Sequence, residues 1–114
     1  MKRLKANYGC PVELALDFVG GKWKTLILAW LKEAPQRYGD LRARLPGISD
    51  KVLTERLKDL ERLELIEKRP GAAGDATTVY CLTGRGESLR PVLDALYQWG
   101  SIVAPELPVT LRRG

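Results

Sequence analysis

The sequence predicts a mainly α fold with a small β-hairpin wing: a winged helix-turn-helix, with a three-helix core plus terminal dimerisation helices. Three observations lead there. Between Arg37 and Leu82 a short helix, a tight turn and a longer helix are followed by a hairpin, and the turn reads Leu45-Pro46-Gly47-Ile48 with Ser49 placed to cap the longer helix. Two helices joined by so short a turn allow the second to enter a DNA major groove. The formal charge of +5, with a pI near 9.4, favours a polyanionic partner. Histidine is absent and cysteines number two, which leaves no Ser-His-Asp triad, no Cys-His dyad and no zinc cage.

The chain of 114 residues, 45% hydrophobic and 29% charged, reads as one globular domain spanning 1–114, too small to carry a separate catalytic domain. Within it the DNA-binding core is expected at about 22–82, with dimerisation segments at about 11–19 and 84–104. No apolar run approaches the roughly 18 residues of a membrane span. Met1-Lys2-Arg3-Leu4-Lys5 is not followed by a signal-peptide core, so a cytoplasmic location without a membrane partner is expected. Cys10 and Cys81 lie far apart and form no C-x-x-C, which points away from a disulfide framework.

Taken in order, Pro11 suits a first helical position, and Val12, Ala15, Leu16 and Val19 fall on one face of a helix that stops at Gly20-Gly21. A second helix from Lys22 carries Trp23, Leu26, Ile27, Trp30 and Leu31 toward the core and ends before Pro35. It is apolar over most of its circumference, so it should be the central, most buried helix. The short helix from about Gly39 to Leu45 turns Leu41 and Leu45 inward and leaves Arg42 and Arg44 outside. The longer helix, from Ser49 to about Leu63, has Val52, Leu53, Leu57 and Leu60 as its buried stripe.

Strand alternation follows at 65–69 and 77–82, with Gly71-Ala72-Ala73-Gly74-Asp75 as the tip between them. Thr83 is placed to cap the next helix, whose first turn Gly84 and Gly86 weaken. Pro91 removes a helical hydrogen bond, so the segment to Trp99 should be kinked or split. After Gly100, the stretch with Pro105 and Pro108 reads as a tail with little regular structure.

On the longer helix the charges cancel, so position decides. At about 100° per residue, Lys51, Lys58 and Arg62 fall within roughly 40° of one another, opposite the Leu53-Leu57-Leu60 stripe and beside Glu55. A plain solvated surface laced by Lys51–Glu55 and Glu55–Lys58 pairs would carry the same pattern. The preceding helix and following wing favour DNA. Ser49 would then anchor a phosphate near the helix N-terminus, while Lys51, Thr54, Glu55 and Lys58 reach base edges or adjacent phosphates. Arg37, Arg42 and Arg44 would hold backbone phosphates, and Lys68 and Arg69 at the wing base would follow the backbone toward the minor groove. No residue is assigned to catalysis, to a metal or to a cofactor.

The apolar residues Val92, Leu93, Leu96, Tyr97 and Trp99 exceed what a small winged domain needs and suggest a symmetric dimer surface, unless they merely cover the domain's own core. Leu14 and Phe18 of the first helix are candidates for the same interface. Cys10, just before Pro11, sits where free N–H groups and the helix dipole favour a thiolate, and Lys5 and Lys22 are candidates for added positive potential. A small residue packed where the first helix enters the core fits Cys10 equally well.

The chain resembles the HxlR-type transcriptional regulators, relatives of the MarR-type winged helix proteins. The matching residues are Cys10-Pro11-Val12-Glu13, Gly20-Gly21-Lys22-Trp23, Leu45-Pro46-Gly47-Ile48-Ser49 with Leu53-Thr54 and Leu57, Tyr80-x-Leu82-Thr83, and Leu89-x-Pro91-Val92-Leu93 leading to Trp99. The resemblance implies a homodimer paired through its terminal helices on operator DNA. It also implies that Cys10 stands where some members carry a redox- or electrophile-sensing thiol. Two departures are Glu64, where the family usually has Gly, and a wing without the usual prolines and extra charge. The expected function is therefore an operator-binding homodimeric regulator with double-stranded DNA as partner and Cys10 as redox-sensing candidate. A small-molecule-responsive regulator without thiol chemistry, and a winged domain used for protein–protein contact, remain as alternatives.

Overall fold

The computed structural model describes residues 4–71 and 77–111. Four helices come first: α1 (Pro11–Val19), α2 (Lys22–Glu33), α3 (Tyr38–Arg44) and α4 (Asp50–Arg62). The antiparallel hairpin β1 (Ile66–Pro70) and β2 (Thr78–Leu82) follows, then α5 (Gly84–Glu87), α6 (Arg90–Val103) and a 3-10 turn at Ala104–Glu106. The fold is the winged helix-turn-helix that the sequence predicts. Residues 72–75 of the expected wing tip lie outside the described residues.

The core gathers Ile27, Leu28 and Leu31 of α2, Leu41 of α3, Leu45 and Ile48 of the turn, and Leu53, Leu57 and Leu60 of α4. Leu65, Ile66 and Leu82 close it from the hairpin. Each such side chain, fully buried, contributes about 1.5–3 kcal/mol, so the leucine stripe is what fixes α4 across α2. Leu26 is exposed, whereas Leu28 is wholly buried. Trp23, Ile27, Trp30 and Leu31 pack on the core as read in the sequence, and Leu28 takes the place of Leu26, because a helix apolar nearly all round does not declare where its buried face ends.

The turn between α3 and α4 forms as expected. Gly47 has φ +91°, a left-handed conformation that a Cβ would disfavour, and the Ser49 hydroxyl accepts the Val52 N–H at 3.1 Å. Glu64 also has φ +58° and is, among the described residues, the sole non-glycine with positive φ. It ends α4 where the chain must reverse into β1, a left-handed position that favours glycine over a residue with a Cβ.

The hairpin pairs Ile66 with Leu82 through to Pro70 with Thr78. Gln36 joins it by exchanging backbone hydrogen bonds with Tyr80 at 3.0 and 2.8 Å, tying the α2–α3 connection to the wing. Thr83 caps α5 by accepting the Gly86 N–H at 3.1 Å. Pro91 does split the segment, with α5 ending at Glu87 and α6 starting at Arg90. Two corrections follow. The helix runs through Gly100 to Val103 and into the 3-10 turn, so the stretch after Gly100 is not irregular until Pro108. Gly86 is more than a weak helix former, since a Cβ built there would lie 2.1 Å from the Leu65 carbonyl oxygen.

Candidate DNA interface

The helix-turn-helix presents one continuous exposed face. Lys51, Thr54, Glu55 and Lys58 of α4 are all exposed, because the heptad-like Leu53-Leu57-Leu60 spacing commits the opposite side to the core. Among the described residues Lys51 and Lys58 form no ion pair. The Lys51–Glu55 and Glu55–Lys58 pairs do not form, since Glu55 turns instead to Arg56 at 3.3 Å. That leaves two lysines on the face opposite the core.

The remaining expected phosphate contacts are differently occupied. Arg42 donates from Nη1 to Asp50 Oδ1 at 2.8 Å and from Nε to the Ile48 carbonyl at 3.3 Å, which clamps the turn. Arg44 lies over the Trp30 ring, 4.6 Å from its centroid. Arg37 is exposed, and its backbone N–H is held by Asp40 at 3.2 Å at the start of α3. Ser49 is exposed, but its hydroxyl is already the acceptor for Val52. At the wing base, Lys68 is exposed beside Tyr80, whereas Arg69 is held by Glu67, its Nε donating at 2.7 Å.

The sequence did not single out two charged clusters. Asp59 is only 4% exposed and accepts from Arg56 at 2.8 Å and from Arg62 at 3.2 Å, which tethers the otherwise exposed Arg62 to its own helix. A carboxylate this buried is tolerable because two guanidinium groups flank it. It lines a groove of about 310 Å³ with Leu16, Asp17, Gly20, Lys24, Arg56 and Leu63, where α1, α2 and α4 meet. The second cluster centres on Tyr38, whose hydroxyl donates to Asp50 Oδ1 at 2.9 Å. Its only trace in the sequence is the spacing of Tyr38 and Arg42, one helical turn apart.

A separate surface is apolar. On α6, Val92, Leu96, Tyr97, Trp99 and Ile102 are exposed, with Trp99 at 67%, and on α1 so are Val12, Leu14 and Leu16. Phe18 is half-buried against the core. Leu93 departs from its expected role: at 3% exposed it belongs to the core, because α6 must dock one side chain to stay on the domain. Lys32 fixes the same junction through Asp94 at 2.8 Å, and that partner raises the Lys32 pKa.

Cys10 is an exposed free thiol at the cap of α1, and its carbonyl accepts the N–H groups of Glu13 and Leu14 at 3.1 and 3.4 Å. Lys5 is paired with Glu13 at 3.2 Å, and Lys22 lies over Trp23, so neither cation is reserved for the thiol. Cys81 is buried, and burial pushes its pKa up.

No helix among the described residues is long and apolar enough to cross a membrane. Residues 18–107 match the model of the HxlR-like helix-turn-helix family. An HTH-type transcriptional regulator of Methanothermobacter thermautotrophicus is 40% identical over 96 residues, covering 84% of this chain and 73% of the relative. The HTH-type transcriptional regulator YodB of Bacillus subtilis is 34% identical over 94 residues, covering 82% and 84%. Among solved structures, the redox regulator HypR in its oxidized form superposes with a TM-score of 0.74 at 30% identity, covering 82% of this chain and 96% of that one. With its helix-turn-helix, its wing and this match over most of its length, the chain belongs to the HxlR-like helix-turn-helix family and is a DNA-binding transcriptional regulator, not an enzyme.

Proposed function

We propose that the protein acts as a homodimer that occupies an operator and so alters transcription, with α4 of each protomer in the major groove. One observation carries this reading: the face of α4 opposite the leucine stripe offers Lys51, Thr54, Glu55 and Lys58 together, beside a turn and a wing that can follow the backbone. Lys51 and Lys58 supply charge without an internal partner among the described residues, while Thr54 and Glu55 supply polar groups for base edges. Lys68, Arg37 and Ser49 lie at the rim, and Arg42, Arg44 and Arg69 join them on exchanging their internal partners for phosphate. The exposed apolar faces of α1 and α6 support pairing of two copies through the terminal helices, with Leu14, Val92, Leu96, Tyr97 and Trp99 in the contact.

Cys10 is the thiol we assign to redox or electrophile response, since it is exposed at a helix N-terminus whereas Cys81 is buried with a raised pKa. The likeness to HypR, described as a redox regulator, supports that assignment. A small-molecule effector held in the groove around Arg56 and Asp59 is the second reading, favoured by the position of that groove against the recognition helix.

Selection of bound duplexes from a random pool tests the proposal. A symmetric dimer should select a palindrome whose half-sites are about 34–36 Å apart, or a multiple of it. Enrichment of no sequence, or of a single unrepeated half-site, would refute it.

A further inference from the structure

We propose that Tyr38 is a positioning residue for base readout, and that it makes Thr54 present an acceptor and a methyl group, not a hydroxyl proton, to the DNA. The inference rests on the placement of Thr54 in the groove proposed above. Tyr38 opens α3 with its ring packed against the core, so its hydroxyl is delivered rigidly to the first two turns of α4. There it meets Asp50 Oδ1 at 2.9 Å, the Asp50 carbonyl at 3.3 Å and Thr54 Oγ1 at 3.4 Å.

A phenol has one proton. Both oxygens of Asp50 near it are acceptors, and Oδ1 already receives Arg42 Nη1 at 2.8 Å, so the Tyr38 proton goes to Asp50. The Thr54 contact then runs one way, with the threonine hydroxyl donating to the Tyr38 oxygen. The resulting relay passes from Thr54 to Tyr38 to Asp50, and Arg42 closes it from the other side. Thr54 itself is exposed, so the groups left facing outward are its Oγ1 lone pairs and its methyl.

That polarity has a consequence for sequence. In the major groove adenine and cytosine present amino donors, whereas guanine and the thymine carbonyl present acceptors. A threonine whose proton is committed to Tyr38 accepts from an amino group and has nothing to donate to guanine. One base pair in each half-site should therefore favour adenine or cytosine on the strand that faces Thr54.

The test compares base preference at each operator position for the wild type, Tyr38→Phe, Thr54→Ser, Thr54→Val and the Tyr38→Phe/Thr54→Val double variant, with a melting curve for each. Thr54→Val should identify the base pair by abolishing its preference. Tyr38→Phe frees the threonine proton and should relax the preference there by about fivefold, the worth of one neutral hydrogen bond. Thr54→Ser keeps the hydroxyl that donates to Tyr38 and should keep the preference, so its loss there decides against the relay if Tyr38→Phe does not fold. In the Thr54→Val background, Tyr38→Phe should change preference no further.

If Thr54→Val shifts one base pair while Tyr38→Phe leaves its preference intact, the relay is wrong and the placement of α4 stands. If Tyr38→Phe only lowers melting temperature and weakens all sequences alike, Tyr38 is structural and the proposal fails. If Thr54→Val changes preference nowhere, both the placement of Thr54 and the relay built on it are overturned.

Discussion

Gly86→Ala should be among the most damaging single methyl additions the protein can suffer, and Gly84→Ala, two residues away, should be harmless. An ideal Cβ at Gly86 lies 2.1 Å from the Leu65 carbonyl oxygen and 3.2 Å from the Leu82 Cβ, whereas at Gly84 it meets nothing within 4 Å. The Leu65 oxygen cannot yield easily, because it accepts the Thr83 N–H at 3.0 Å where the end of β2 meets the start of α5. Relieving the overlap requires a shift of more than an ångström, which also pulls Thr83 Oγ1 from the Glu64 carbonyl and Arg85 from the Leu63 carbonyl. Overpacking of this kind costs about 3 kcal/mol. At about 4 °C per kcal/mol for a domain of this size, that is a fall of roughly 12 °C. Gly84→Ala removes chain entropy from the unfolded state at a helical position and should gain about 0.5 kcal/mol, or about 2 °C. Calorimetry of both variants at one protomer concentration measures the difference, the fixed concentration being needed because association shifts apparent stability. Equal melting temperatures for Gly86→Ala and the wild type would refute the close approach of α5 to the α4–β1 junction.

Glu64→Gly should raise stability by about 0.5 kcal/mol: relief of the left-handed backbone exceeds the added chain entropy, and the Arg85 pair it loses is mostly exposed; chemical denaturation checks the sign. Leu96→Glu and Trp99→Glu, both at exposed positions of α6, should leave the fold intact and shift sedimentation from dimer to monomer, whereas Leu93→Ala should lower stability by about 2–5 kcal/mol. Diamide should alter operator affinity in the wild type and in Cys81→Ser but not in Cys10→Ser, and a retained response in Cys10→Ser would move the effector to the groove beside Arg56. Burial raises the Cys81 pKa above its ordinary 9.0, so the unfolded chain loses that proton first as pH climbs. Stability from this group is complete below 9.0 and is lost as pH rises through the folded value; Cys81→Ala should flatten that alkaline decline in denaturation curves.

Much of the fold was legible because its signals are local. Pro46-Gly47 with Ser49 marks the turn and cap, and Pro91 marks the break between α5 and α6. What escaped depends on contacts distant in sequence. Periodicity finds an apolar face but not what covers it, and it cannot separate Leu93, which is core, from Trp99, which is exposed. The two charges on either side of Asp59 neutralise it only once α4 has packed, and Gly86 is required only because Leu65 comes to lie beside it. At the candidate interface the exposed set on α4 was readable from helical geometry. The internal engagement of Arg42, Arg44 and Arg69 was not, since each partner is chosen by how neighbouring elements dock or by side-chain rotamer.

Contact between the outer face of α4 and DNA is tested most directly by the salt dependence of operator affinity for the wild type, Lys51→Ala and Lys58→Ala. Each substitution should weaken binding. A lost phosphate contact should flatten the slope of log affinity against log salt by about 0.9, and a lost base contact should erase preference at a particular base pair. Unchanged affinity, slope and preference in both variants would place the DNA on another face of the protein.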